Sequence, residues 1–295
     1  ENENNFSKIF GISKILKLVK IVRNLDEIID FLKNKYFLNN IGVSLKVKRK
    51  EKDYKLNSLE IYQYVKVNLK KYFTNHYNTA KEIEIIYHKK QFFIFELAEF
   101  GKGGLPVGVS GKGLVLISTG FDSPVASFFA MRRGLKLTFL HFHSYPQTSI
   151  QDIEKIKSII EILNEYNLGS KLYLMNILEI QKFYFKNIPT NYLVLFYRRT
   201  MFRLADKLAK ELGIKVLITG ENLGQVASQT IENMLTIERV TDLLILRPLI
   251  GFDKLEIINY ARKIGTEKIS KLPGEDCCTL FVPKHPVIKS DIEEI

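Results

Sequence analysis

LVLISTGFDSPVASFFAMRRG, Leu114–Gly134, decides the fold of the larger part of this chain. Leu114 to Ile117 form a continuous apolar run, the pattern of a central parallel strand covered on both faces. Val125, Phe128, Phe129 and Met131 then recur at roughly helical spacing. Ser118-Thr119-Gly120-Phe121-Asp122-Ser123 is therefore a turn from a strand into a helix N-terminus. Unpaired N–H groups and the positive end of the helix dipole attract anions there, and glycine lets a phosphate approach the backbone. The plainer reading is that Asp122 or Ser123 caps the helix. Two further hydroxyls and a glycine in the same turn favour a phosphate cradle. A Walker loop is excluded, because Gly101-Lys102 and Gly111-Lys112 are each followed by Gly rather than Ser or Thr.

Outward from this turn the pattern alternates strictly. Strands are predicted at 114–118, 136–142, 171–176, 215–219 and 243–246, with helices at 121–133, 150–166, 192–212 and 223–237. That order predicts a doubly wound α/β domain with a parallel sheet, whose ligands bind beyond the carboxyl ends of the strands. The residues after the second strand, His141-Phe142-His143-Ser144, and after the fourth, Thr219 to Gln225, should converge with the Ser118–Ser123 turn on one crevice. His141 and His143 share a strand face, as metal ligands would, but with no matching third ligand the expected roles are packing or nucleotide contact, and no metal is assigned to them.

The first hundred residues read differently. A helix around Leu25 to Tyr36, a strand around Val43 to Arg49, a helix around Leu59 to Phe73 and strands around Glu82 to Tyr87 and Phe92 to Glu96 make an α+β order. The glycine-rich stretch Phe100–Gly113 is the expected boundary. Net charge is +12, and between Ile41 and Lys90 twelve Lys or Arg face five Asp or Glu, an excess of seven. An anionic partner such as nucleic acid follows from that balance, with Lys46, Lys48, Arg49, Lys50, Lys52 and Lys55 the candidate contacts. A solvated strand in a lysine-rich chain is the alternative. No apolar run approaches the roughly 20 residues of a membrane span, and the first residues lack signal-peptide order. The two cysteines, Cys277 and Cys278, are adjacent, which points to a reducing cytoplasm and to chemistry rather than a disulfide framework.

Taken together, VKRKEKDYKLNSLEI, GGLPVGVSGKGLVLISTGFDSPVA, HFHSYPQTS, YRRTMFRLADKLA, TGENLGQVASQT, RPLIGFDKLEII, ARKIGTEKIS and EDCCTLFVPKHP span almost the whole chain. In that order they resemble the tRNA 4-thiouridine synthetases, uridine sulfurtransferases of the PP-loop ATP pyrophosphatase superfamily. The resemblance implies an α+β THUMP domain over residues 1–107 that binds tRNA, then an α/β PP-loop domain, adenine nucleotide alpha-hydrolase-like, over 108–295. It implies that the Ser118–Ser123 turn, with Ser118, Gly120, Asp122 and Ser123, holds the pyrophosphate of ATP, with Asp122 working with Mg2+. Leu116, Ile117, His141 and Phe142 would line the adenosine site, with Arg198, Gly220 and Gln229 around it. Lys254 resembles the lysine of adenylation, and Cys277 the cysteine that handles the persulfide. AMP is first transferred to uracil O4 and sulfur then displaces it, giving 4-thiouridine.

The family turn is Ser-Gly-Gly-x-Asp-Ser, whereas Thr119 stands second here. A β-branched residue resists positive φ, so either the backbone at 119 is ordinary or the clamp is weaker. The preceding ferredoxin-like segment and a rhodanese domain are not found, so a cysteine desulfurase or another donor acting in trans is expected to supply sulfur. Two adjacent cysteines are too few for a four-thiolate cluster within one subunit. A homodimer is the expected assembly. Alternatives are a PP-loop sulfurtransferase for thiamine thiazole synthesis and a catalytically degenerate tRNA-binding protein.

Overall fold

The computed structural model describes residues 6–73, 77, 79–274, 281 and 286–291. The chain divides into two compact units, Glu1–Ser7 with Ile12–Gly103, and Lys8–Gly11 with Gly104–Ile295. The division falls between Gly103 and Gly104 rather than after residue 107, and the short Lys8–Gly11 piece belongs with the second unit. The reason for the second difference is Phe10. Its ring is buried in the core of that unit, 5.2 Å from Phe128 and 5.7 Å from Tyr166.

The first unit runs β1 (Lys14–Val22), α1 (Leu25–Lys35), β2 (Gly42–Arg49), α2 (Ser58–Asn68), the single turn α3 (Lys70–Phe73), β3 (Ala80–His88) and β4 (Gln91–Phe100). The strands lie in the order β1-β4-β3-β2, with β2 and β3 parallel and the other pairs antiparallel. Asn24 caps α1, and an Asn57–Glu60 capping box starts α2. Ile28 and Leu32 of α1 and Ile61 and Val65 of α2 pack with Ile83, Ile85, Phe92 and Ile94 of the sheet. Strand β1 was not predicted. Its lysines, 14, 17 and 20, recur every third residue, a period that fits neither a regular strand nor a clean helix face. Two register shifts against β4, between Ile15 and Leu16 and between Leu18 and Lys20, absorb the mismatch.

The second unit runs β5 (Lys112–Leu116), α4 (Asp122–Arg132), β6 (Lys136–His143), α5 (Ile150–Asn167), β7 (Leu172–Asn176), α6 (Leu178–Asn187), α7 (Leu193–Glu211), β8 (Val216–Ile218), α8 (Ile231–Glu238), β9 (Leu244–Leu246), α9 (Lys254–Ile264) and α10 (Glu267–Ser270). Its strands are all parallel, in the order β7-β6-β5-β8-β9. This is the doubly wound sheet that alternation predicts. Neighbouring strand residues serve opposite faces: Val115, Leu137, Phe139 and Ile218 pack with α4, α5 and α9, while Leu114, Leu140, Phe142 and Leu217 pack with α7 and α8.

Three local expectations change. Strand β5 stops at Leu116, so Ile117 to Phe121 form the turn. Helices α6, α9 and α10 were not predicted. The helix expected over 223–237 begins only at Ile231. Gly224 has a left-handed φ of 74°, and its N–H closes on the Gln229 carbonyl at 2.8 Å, so this stretch is a loop facing the carboxyl end of the sheet. Among the described residues no helix is long and apolar enough to cross a membrane.

Candidate active site

Strand order turns back between β6 and β8, on either side of β5, so a crevice opens at the carboxyl ends of these strands. A cavity of about 240 Å³ lies there. Leu116, Ile117, Ser118, Asp122, Ser123, His141, Phe142, Arg198, Gly220 and Gln229 line it. Of the nucleotide residues expected from sequence, Gly120 belongs to the same turn but does not line the cavity. Met201, Thr219, Glu221, Gln225 and Val226 complete the wall.

The turn is fastened from within. The Ser118 N–H donates to Ser123 Oγ at 2.8 Å, the two hydroxyls lie 3.2 Å apart, and Ser127 Oγ donates to the Ser123 carbonyl at 2.7 Å. Ser123 thus reaches back to Ser118 instead of capping the helix. The residue in the cap position is Phe121, whose side chain makes no capping bond, so no cap side chain satisfies the first N–H groups of α4. Neither Thr119 nor Gly120 lies in the left-handed region, which resolves the question raised by threonine at the second position: the backbone there is ordinary. The glycine that the geometry requires is Gly220. A Cβ on it would stand 2.6 Å from the Ser123 nitrogen and 2.7 Å from the Asp122 carbonyl carbon.

At the mouth, Lys254 Nζ donates to both carboxylate oxygens of Asp122, at 2.7 and 3.0 Å, and Gln225 Nε2 donates to Oδ2 at 3.2 Å. Lys254 is delivered by the start of α9, fixed by the Asp253–Glu256 capping box. Asn222 ties the two mouth loops, its amide donating to the Leu249 carbonyl at 3.1 Å and to that of Phe252. Ser270 Oγ of α10 donates to the Gly120 carbonyl at 3.1 Å.

Deeper in, Glu221 is only 3% exposed. Arg198 bonds one carboxylate oxygen, while Arg247 and Thr219 Oγ1 each donate to the other at 2.9 Å. Burial pushes the Glu221 carboxyl up, but the two guanidinium groups outweigh it and hold it below the ordinary carboxylate range. Arg198 is therefore presented at a fixed angle. The sequence points to Arg198 through resemblance alone, and Arg247 and the clamping role of Glu221 were missed. Their signal, a Glu three residues beyond a buried strand, is visible only once the partners are known.

His141 Nδ1 lies 2.9 Å from the Ile117 carbonyl, and His143 Nδ1 accepts from the Tyr145 N–H at 3.3 Å. Both rings are thus engaged with main chain, and burial depresses the His143 pKa. In the first unit, Lys46 and Lys48 share a face of β2, and Lys50, Lys52 and Lys55 are exposed in the segment that follows. Lys48 pairs with Glu84 at 2.5 Å. Arg49 departs from the expected group. It points to the other face, where its NH1 donates to the carbonyls of Tyr54 and Leu56 at 3.1 and 2.8 Å and holds the 50–57 loop. Cys277 lies outside the described residues.

The model of the family described as "Thiamine biosynthesis protein (ThiI)" matches residues 108–295. A probable tRNA sulfurtransferase of Caldanaerobacter subterraneus subsp. tengcongensis is 38% identical over 98% of this chain and 77% of its own length. The chain belongs to the ThiI family of tRNA sulfurtransferases. Another member, the probable tRNA sulfurtransferase of Halothermothrix orenii, is 46% identical over 74% of this chain, an alignment that spans 55% of that relative. This ThiI-family chain thus spans from about half to three quarters of the length of these two relatives. Among solved structures, a 4-thiouridine synthetase in complex with RNA and bound ATP superposes with a TM-score of 0.82 at 34% identity, covering 100% of this chain and 80% of that one.

Proposed function

We propose that this chain catalyses ATP-dependent thiolation of tRNA, adenylating uracil O4 and replacing it with sulfur to give 4-thiouridine. The observation that carries this reading is the Asp122–Lys254 pair at the mouth of a cavity floored by the Ser118–Ser123 turn. The ATP and RNA bound to the similar synthetase support it. The adenine would lie among Leu116, Ile117, His141 and Phe142, and the β,γ-phosphates against the open N-terminus of α4. Lys254 would face the α-phosphate as uracil O4 attacks it and pyrophosphate leaves.

Magnesium fits one feature here. Asp122 presents an acceptor-only carboxylate at the mouth, and magnesium is usually held by one or two carboxylates plus the phosphates it accompanies. Asp122 would share that ion, which neutralises phosphate charge. Among the described residues no cluster of three or more His, Cys, Asp or Glu could hold a metal without ATP.

In the second step a persulfide sulfur on Cys277, supplied by a cysteine desulfurase or a similar donor, bonds to C4 as the C4–O bond breaks and AMP leaves with the oxygen. A second thiol then cleaves the S–S bond, releasing the thiocarbonyl and leaving a disulfide. The first unit serves as the THUMP module that docks tRNA, through Lys46, Lys50, Lys52 and Lys55. Two copies of the chain act together, and the reaction takes place in the cytoplasm.

The test is pyrophosphate release from ATP and magnesium with and without unmodified tRNA. Wild type should depend on tRNA, and Asp122→Ala should fall about a hundredfold or more. Release indifferent to tRNA would sink the RNA reading and favour a small acceptor, as the description of the family model suggests. Tight tRNA binding with no release would point to a degenerate binding module. Gly220→Ala gives a second check. Overpacking of this kind costs about 1–3 kcal/mol, and here it strikes the turn itself. ATP affinity measured by calorimetry should weaken about tenfold, against a smaller change in tRNA affinity.

A further inference from the structure

Helix α5 carries a buried pair that the site described above does not use. Asp152 and Lys155 are 3% and 8% exposed and lie one turn apart on one helix face. Lys155 Nζ donates to the Leu272 carbonyl at 2.6 Å. Gly274 passes so close over the pair that a Cβ there would stand 2.5 Å from Asp152 Oδ1 and 3.2 Å from Lys155 Nζ. Burial pushes the Lys155 ammonium down, and Asp152 opposes the shift.

Packing alone does not account for these residues. Burying a charged side chain costs free energy that an aliphatic one does not, and Ile153, Ile156, Ile159 and Ile160 of the same helix show that aliphatics serve this core. What the pair does hold is chain. Ser270 rests on Gly120 of the turn, Leu272 on Lys155, and Gly274 on both members of the pair. Beyond the residues that include Cys277, Phe281 stacks on Phe185 of α6 with centroids 4.7 Å apart, and the Val287 N–H donates to the Asn191 carbonyl at 2.9 Å. The described residues on either side of Cys277 are thus held: Leu272 and Gly274 on α5, Phe281 on α6 and Val287 on Asn191, with Ser270 just upstream on the Ser118–Ser123 turn.

We infer that Asp152 and Lys155 are positioning residues for sulfur delivery, seating Leu272–Gly274 so that the chain bearing Cys277 departs from a fixed point next to the adenylation site. This rests on the sulfurtransferase reading. Neither residue lines the cavity at the carboxyl ends of the strands, so the pair is assigned to the second step and not the first.

The two steps separate in one assay, with pyrophosphate release reporting adenylation and near-ultraviolet absorbance of the tRNA reporting 4-thiouridine. A persulfide-loaded cysteine desulfurase supplies the sulfur. Lys155→Met should release pyrophosphate within about twofold of wild type and form 4-thiouridine about tenfold or more slowly, and Lys155→Arg should recover most of the loss. Gly274→Ala, whose methyl would meet the Asp152 carboxylate and crowd Lys155 Nζ, should show the same split. Wild-type thiolation by Lys155→Met would overturn the inference. So would equal loss of both steps, which marks a purely structural pair. Wild-type enzyme without tRNA-dependent pyrophosphate release would instead overturn the reading beneath it.

Discussion

Lys254→Met should lower the rate of tRNA-dependent pyrophosphate release by about a hundredfold to a thousandfold while ATP affinity changes by no more than about threefold. The lysine is half exposed, and its ammonium spends the nucleotide-free state on the Asp122 carboxylate. A pair this open contributes little to folding stability, so the variant should melt close to wild type. The value of the ammonium lies in reach. In the proposed adenylation step, a flexible stem beside a carboxylate that would share magnesium would let the charge swing onto the α-phosphate as negative charge builds there. Lys254→Arg should recover only part of the rate, because a broad fork replaces a compact point charge. Equal effects on affinity and on the rate at low ATP, with an unchanged saturated rate, would show that Lys254 serves only ground-state binding.

Glu221→Gln should destabilise the second unit by about 3–5 kcal/mol, because it leaves two guanidinium groups facing a neutral amide in a buried site. For a unit of this size the melting temperature should drop on the order of 10 °C. The pH dependence carries a sign. The folded Glu221 carboxyl sits below its ordinary range, so its stabilisation is fully present above the unfolded pKa of about 4.3 and is lost as pH falls through the folded value. Wild type should therefore lose stability through that acid window more steeply than Glu221→Gln, and the two curves should converge there. Parallel curves would show that the carboxylate is not the clamp. Arg198, which lines the cavity where the proposed function places ATP, would be released from Glu221, so surviving variant protein should bind ATP more weakly.

Legibility from sequence followed the physics of each element. The strands of the second unit are buried on both faces and read as apolar runs, and the turn after the first of them announced itself by hydroxyls, glycine and carboxylate within six residues. Strand β1 escaped because its three-residue lysine spacing becomes strand-like only through two bulges against β4. The 223–230 stretch reads as helix because nothing local shows that Gly224 turns left-handed to aim Gln225, Val226 and Gln229 at the cavity. Arg49 reads as one more surface cation, yet strand alternation places it on the face opposite Lys46 and Lys48, where two carbonyls take its charge.

By itself the sequence determined the parallel α/β architecture, the place of the Ser118–Ser123 turn in it and the family, because apolar periodicity and short contiguous motifs are local properties of a chain. Only tertiary structure decided that Asp122 meets Lys254, that Glu221 gathers Arg198 and Arg247, that Gly220 rather than Gly120 is the glycine the turn requires, and that Lys155 seats Leu272. Each of those contacts joins residues far apart in sequence, and charge pairing and steric exclusion at that separation leave no periodic trace for the chain to display.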